Sequence, residues 1–305
     1  MPLWKLIRFG TFGLLTLLVI DFPNPGVSFS ENAPLMPAAS PTSSPIPKQP
    51  GVPSPTADVV SVDMLKLAGV NSRDVVYHLG SGDGQTVIAA VKQFGAKRGV
   101  GVEVSRDLIN LSKENAQKAG IADRVQFLQQ DPYQTDFREA SVITLHLKPD
   151  ADLKLRSKLL NELKPGTRIV ANALLMGDWM PDKVVPVPGA SQQFLYFWVV
   201  PANIAGDWQG TLEYTPGRRQ SYTIRFVQQF QRIKGDVVVN KQKYYISKIT
   251  LRGDRLTFSR TETIQGQQGI AEFNGKIEGD TLKGVIEVQW GPLSRNFPIM
   301  ANRNS

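Results

Sequence analysis

The stretch Val75-Val76-Tyr77-His78-Leu79-Gly80-Ser81-Gly82-Asp83-Gly84 decides the fold. It reads as a buried strand running into a glycine-rich turn, and the periodic segment 85–94 after it reads as a helix. A second strand-like run, Gly99-Val100-Gly101-Val102-Glu103, ends on an acid roughly 20 residues after the turn. Packing does not explain an acid closing an apolar strand. Strand, glycine turn, helix, strand and acid, in that order, form the unit with which α/β proteins hold a nucleoside.

The glycines are spaced G-x-G-x-G rather than G-x-G-x-x-G, and that spacing favours S-adenosylmethionine (SAM) over a dinucleotide. Gly80, Gly82 and Gly84 let the backbone turn tightly and come close to a cofactor, with Ser81 and Asp83 inside the same turn. The start of the next helix presents backbone N–H groups to a carboxylate, here the methionine end of SAM. Glu103 is placed to accept hydrogen bonds from both ribose hydroxyls. Asp131, after the third strand, is placed for the adenine amine. Tyr133 either packs on the adenine ring or shields a loop.

Working outward, strands are expected at 74–78, 98–103, 124–129, 141–146 and 167–173, and helices at 56–68, 85–94, 106–119 and 150–163. This alternation predicts a parallel sheet with helices on both faces. Thr56 caps the first helix, with Val60, Met64 and Leu67 on one face. Strands near 183–187 and 193–200 close the sheet edge, and Trp179 and Trp198 belong to the core. Beyond Pro201 helical periodicity stops. Alternating runs at 208–214, 221–230, 236–239, 244–251, 255–259, 271–277 and 281–289 predict an antiparallel meander forming a small barrel or sandwich. Pro216-Gly217, Lys234-Gly235, Arg252-Gly253-Asp254 and Glu278-Gly279-Asp280 are the expected turns. Gly206-Asp207-Trp208-Gln209-Gly210 resembles the first strand of lipocalin-like barrels; the alternative is a Trp that closes a barrel end with no ligand.

Residues 55–200 resemble a class I SAM-dependent methyltransferase. More narrowly, they are similar to compact protein-lysine methyltransferases of archaea, their mitochondrial relatives and bacterial homologues. Besides the opening stretch and the run ending at Glu103, Pro55-Thr56 and 140–145 carry the resemblance. So do Leu163-Lys164-Pro165-Gly166-Thr167-Arg168-Ile169-Val170, Gly177-Asp178-Trp179 and Leu195-Tyr196-Phe197-Trp198-Val199. The resemblance implies an α/β fold with a Rossmann-like methyltransferase sheet, SAM as cofactor and a methyl acceptor that is a lysine-like protein side chain or a small molecule. A small antiparallel β domain lies outside it. Three departures stand out. His78 occupies the position of the family's acid, which interacts with the cofactor's amino group, and a neutral histidine supplies no fixed charge. Ala171-Asn172-Ala173-Leu174-Leu175 replaces a polar run beside the cleft. His146 replaces an aromatic residue at the C-terminal end of the fourth strand, where open α/β sheets place their sites. It is the candidate general base, the alternative being a pocket-lining histidine.

The chain of 305 residues has no cysteine and two histidines, which excludes disulfides, a cysteine nucleophile and cysteine-based zinc, and argues against a metal site. The division expected is 1–24 as signal peptide or membrane anchor, 25–55 as Pro/Ser-rich linker, 56–201 as methyltransferase-like domain and 202–305 as β domain. Lys5 and Arg8 precede an apolar run at 9–20, a pattern that places the downstream chain in the cell envelope or outside the cytoplasm; a segment that is not a functional signal leaves the chain cytoplasmic. Residues 57–201 hold 17 Lys+Arg against 16 Asp+Glu, whereas residues 202–305 hold 15 against 9, so about +6 of the net charge of +8 belongs to the C-terminal part. That basicity suits solubility, an acidic partner or a membrane surface. No nucleic-acid groove is indicated, and the sequence is silent on oligomeric state.

These residues support three readings: an active SAM-dependent methyltransferase, a methyltransferase-like binding module in the cell envelope, and a β domain that binds an apolar ligand. An exported domain meets little SAM, and that observation supports the second.

Overall fold

The computed structural model describes residues 57–147, 152–190, 193–264 and 267–304. The expected signal segment, linker, Thr56 cap and the start of the helix at 150 lie outside the described residues. The N-terminal part comprises α1 (Ala57–Ala68), β1 (Val75–Leu79), α2 (Gln85–Lys92), β2 (Arg98–Glu103), α3 (Arg106–Lys118) and β3 (Val125–Gln129). A short 3-10 turn, Pro132–Gln134, leads to β4 (Val142–Leu145), α4 (Asp152–Glu162), β5 (Arg168–Asn172), β6 (Lys183–Pro186) and β7 (Phe194–Val199). The sheet order is β3-β2-β1-β4-β5-β7-β6. The first five strands run parallel, and β7 and then β6 complete the edge antiparallel.

The central strands are apolar because both faces are covered: all four residues of β4 are buried. Val60 and Met64 of α1 pack into one core layer together with Leu65, which the expected helix face omitted. Trp179 and Trp198 lie fully buried in the layer on the other side. Arg168 holds α1 to the sheet: its guanidinium donates to the carbonyls of Ala68 (2.8 Å) and Gly69 (2.9 Å) and pairs with buried Asp74. The last carbonyls of the helix thereby gain the partners that a helix end lacks.

The C-terminal part is a nine-stranded antiparallel meander, β8 (Gly206–Thr215), β9 (Arg218–Gln229), β10 (Arg232–Val239), β11 (Gln242–Tyr245), β12 (Ser247–Arg252), β13 (Arg255–Ile264), β14 (Gln267–Glu278), β15 (Thr281–Trp290) and β16 (Leu293–Arg303). Three expectations are corrected here. The run 244–251 is not one straight strand but β11 and β12, bent at buried Ile246, so that the chain pairs first with β10 and then with β13. Lys234-Gly235 is not a turn but lies inside β10; the reversal is at Phe230, where φ is 55°. The last strand, β16, has no counterpart among the expected runs because Pro298 interrupts its pattern; it pairs with β15 and returns to β8. That return, and the bend at Ile246, turn the meander into a nearly closed barrel.

Trp208 is fully buried, donates its indole N–H to the Ile204 carbonyl at 2.8 Å and carries the Arg303 guanidinium over its ring at 4.6 Å. It closes the barrel end. The interior is filled by its own side chains, among them Phe226, Phe258 and Phe273. The cavity beside Leu212, Ile224 and Ile286 is about 40 Å³, room for no more than about three waters and far below the several hundred Å³ of a ligand pocket. The apolar-ligand reading therefore loses its container.

The barrel docks against the α/β part through the β9–β10 reversal. Phe230 stacks on Trp179 at 5.9 Å under the Arg156 guanidinium, and Ala202 N–H donates to the Gly253 carbonyl at 2.8 Å. Gly253 also abuts Gly166, just before β5 begins. This contact sits by the N-terminal ends of the parallel strands, so the barrel leaves the C-terminal ends uncovered.

Candidate active site at the glycine turn

Gly80 and Ser81 donate their N–H groups to the Val102 carbonyl at 2.9 and 3.0 Å, which fastens the turn after β1 to β2. A Cβ on Gly80 would lie 2.4 Å from the His146 carbonyl oxygen, and one on Gly84 would lie 2.8 Å from the Phe127 ring. Both positions are compressed and both have positive φ, so only glycine fits. Gly82 differs: its φ is 54°, yet a Cβ there meets nothing within 4 Å. The turn is thus packed from beneath and open at its middle glycine.

Side chains from α3 brace the turn. Ser112 donates to the Gly82 carbonyl at 2.8 Å and Asn115 to the Asp83 carbonyl at 3.0 Å. Gly84 caps α2 with no side-chain partner, and the first turn of α2 holds no acid. The helix start therefore offers N–H groups and positive dipole to an anion. Among the described residues, the Asp83 carboxylate makes only a long contact to Gln85 N–H, at 3.4 Å. The Ser81 side chain is buried against Gly101, where a Cβ would come within 2.8 Å of its hydroxyl, so its backbone rather than its hydroxyl belongs to the turn.

Glu103 stands at the end of β2. Its Oε1 accepts from the N–H groups of Val104 (2.9 Å) and Ser105 (3.1 Å), and its Oε2 accepts from Gly82 (3.1 Å). A carboxylate has about four lone-pair sites, so these three bonds leave one position, on Oε2. One ribose hydroxyl finds an open acceptor; the second must share an oxygen already engaged. Gln130 N–H donates to the Glu103 carbonyl at 3.0 Å and brings the next segment alongside. There Asp131 caps the 3-10 turn by accepting from Tyr133 N–H at 2.9 Å, and both side chains are exposed.

His146 comes directly after β4, with its N–H donating to the Leu79 carbonyl at 3.0 Å and its side chain exposed. The structure thus brings His146 beside the glycine turn. His78 is the opposite case. It is buried, with Nδ1 2.7 Å from the Thr144 hydroxyl oxygen and 3.2 Å from the Thr144 carbonyl. Burial first, and neighbouring His146 second, push its pKa from 6.5 down to about 3. At neutral pH it offers no charge to a cofactor. Its folded pKa lies below the unfolded value, so its contribution to stability is complete above about pH 6.5 and fades as the pH falls towards 3. In urea titrations the stability gap between the wild type and His78→Gln is expected to narrow by about 2 kcal/mol between neutral pH and pH 5. A gap independent of pH contradicts the assignment.

Sequence reasoning did not find Thr144, Ser112, Asn115 or Val104. Thr144 was signalled by a hydroxyl inside the apolar run Val142-Ile143-Thr144-Leu145. Val104 stands next to Glu103 as an exposed apolar residue at the mouth of the site. The braces from α3 had no signal, since a Ser and an Asn on a helix are ordinary surface residues. At the end of β5, Asn172 accepts from the Gln193 amide at 2.8 Å and Ala173 has a φ of 55°.

The comparisons with known proteins bear on this arrangement. Residues 78–183 match the ANTKMT methyltransferase domain family. A protein-lysine N-methyltransferase of Saccharolobus islandicus is 36% identical over 156 residues, which cover 51% of this chain and 96% of that protein. The chain belongs to the protein-lysine methyltransferase family. Other relatives are matched over about half their length: the mouse adenine nucleotide translocase lysine N-methyltransferase is 33% identical over 107 residues, 35% of this chain and 46% of that protein. An RNA methyltransferase of Salinibacter ruber, solved with S-adenosyl-L-homocysteine, is 44% identical and covers 50% of this chain and 96% of its own, with a TM-score of 0.46.

The protein is thus a SAM-dependent methyltransferase, and the reading as a non-catalytic module is not favoured. Its glycine turn fits the cofactor on two observations. The backbone is open at Gly82, and the start of α2 carries no side-chain cap and no acid. In this methyltransferase the α2 N–H groups would hold the cofactor's carboxylate and Glu103 Oε2 a ribose hydroxyl. When bound, SAM supplies an electrophilic methyl group on a sulfonium.

Proposed function

We propose that the enzyme methylates a lysine side chain of a protein. The observation that carries this reading is the 36% identity spanning 96% of the archaeal protein-lysine N-methyltransferase. A lysine amine attacks only when neutral, and its ordinary pKa near 10.4 keeps it charged at pH 7. The site must therefore remove a proton as well as align the amine. His146 is exposed next to the turn and takes the role of general base. Residues 1–24 hold the chain at a membrane; Lys5, Arg8 and the apolar run support this, and extraction of the native chain by alkaline carbonate would disprove it.

The test is a methyl-labelling assay on extracts of cells lacking the enzyme, with mass spectrometry of the labelled product. Mono-, di- or trimethyl-lysine is expected. Label confined to RNA or small molecules overturns the acceptor. For an identified acceptor, His146→Asn is expected to lower kcat by about 10²-fold with SAM affinity unchanged; an unaltered kcat removes His146 from the chemistry.

A further inference from the structure

The segment from Arg218 to Lys248 holds eight Lys or Arg and a single acid, Asp236. It forms β9, β10 and β11. Strand alternation decides which of these side chains share a face. Val227 pairs with Lys234, Arg225 with Asp236, and Asp236 with Tyr245, so these residues share the outer face of the barrel, where Asp236 lies buried beneath its neighbours. Arg232 lies two residues before Lys234 on the same face. Lys248 stands at the bend, where β12 leaves β11. Arg225 is partly offset by Asp207 at 3.4 Å, and Lys243 by Asp236 at 3.6 Å. Arg232, Lys234 and Lys248 have no ion pair among the described residues.

Two exposed apolar side chains stand within this positive field. Val227 is 67% and Tyr245 77% exposed. The neighbouring surface includes Ile233 and Ile249, partly buried. The face holds an open depression of about 420 Å³ whose lining includes Arg225, Lys234, Lys243 and Lys248 together with Val227 and Tyr245. Cations around an exposed Tyr and Val are the composition that settles at a lipid–water interface, where cations meet anionic headgroups and the amphipathic ring sits at headgroup level. A site for single-stranded nucleic acid would instead line up several aromatic rings, and on this face, among the described residues, Tyr245 is the one exposed ring.

We propose that this β9–β11 face docks onto the surface of an anionic lipid bilayer. The choice of occupant rests on charge complementarity and on the chain itself. The apolar run at 9–20, read as a membrane anchor, is joined to α1 by a linker of residues 25–55 whose full extension of roughly 100 Å keeps the domain in the neighbourhood of a bilayer. Docking uses a surface separate from that anchor and from the cofactor site.

Because the chain has no cysteine, a single introduced thiol can be labelled cleanly. The full chain carrying Tyr245→Cys, with an environment-sensitive fluorophore, is mixed with vesicles of phosphatidylcholine alone or containing phosphatidylglycerol. Val285→Cys on β15, on the other side of the barrel, is the control. The expected result is a blue shift at position 245 only, only with phosphatidylglycerol, and reversed by high salt. Adding Arg232→Gln, Lys234→Gln and Lys248→Asn is expected to weaken the response by roughly fivefold per charge removed; asparagine suits the positive φ of 49° at Lys248. Equal shifts at both positions, or equal shifts with neutral lipid, show that the anchor acts alone and overturn the proposal. A response to single-stranded nucleic acid at lower concentration than to vesicles overturns it in favour of that partner.

Discussion

Gly82→Ala is expected to weaken cofactor binding strongly while the fold survives. Among the described residues, the new methyl meets no atom beyond its chain neighbours within 4 Å, so the strain in the free protein is that of the left-handed φ of 54°. That costs about 1 to 2 kcal/mol. The methyl does occupy the open side of the turn, where backbone and ligand must come within contact distance. An intruding methyl there is expected to lower SAM affinity by about 10- to 100-fold. Gly80→Ala makes the contrast. Its Cβ would lie 2.4 Å from the His146 carbonyl oxygen, so the turn or the end of β4 must move before any ligand arrives. For Gly80→Ala, stability and binding are expected to fall together; for Gly82→Ala, calorimetry should find binding weakened by that factor and thermal unfolding lowered by only a few degrees. Equal stability losses in both variants would contradict the placement of the ligand at Gly82.

Glu103→Ala is the second large effect. The carboxylate gathers the N–H groups of Gly82, Val104 and Ser105, and so joins the glycine turn to the end of β2. Truncation strands three donors and removes the acceptor for the ribose. Charge-assisted hydrogen bonds contribute roughly 1.5–3 kcal/mol each, so a loss of about 10²-fold in SAM affinity is expected from the ligand bond, with a fall in stability besides. Glu103→Gln is expected to lie between, because its amide keeps one acceptor oxygen but turns a donor towards backbone N–H groups. A titration that finds Glu103→Ala binding SAM like the wild type would remove Glu103 from the site.

The sequence was most legible where local pattern and burial agree. The strand into the Gly80–Gly84 turn, the apolar run ending in Glu103 and the helix at Arg106 could be read because each carries its own period and its own terminator. The β domain was legible as a meander, but its closure was not. Ile246 bends one strand into two, and nothing in 244–251 marks a bend in an otherwise continuous run. β16 escaped because Pro298 breaks its alternation, although a proline is tolerated where its missing N–H is not needed for the ladder. At the site, the identity of His78 could be read but its state could not. Its neutrality depends on burial against Thr144 and on His146 nearby, both of them contacts distant in sequence. The cationic face of the barrel has the same origin: the charges are visible in the sequence, and only the pairing of β9, β10 and β11 gathers them on one side.

Calorimetric titration of the wild-type protein with SAM tests the central claim most directly. Saturable one-site binding below millimolar SAM, competed by S-adenosylhomocysteine, is expected. No binding at millimolar SAM would contradict it.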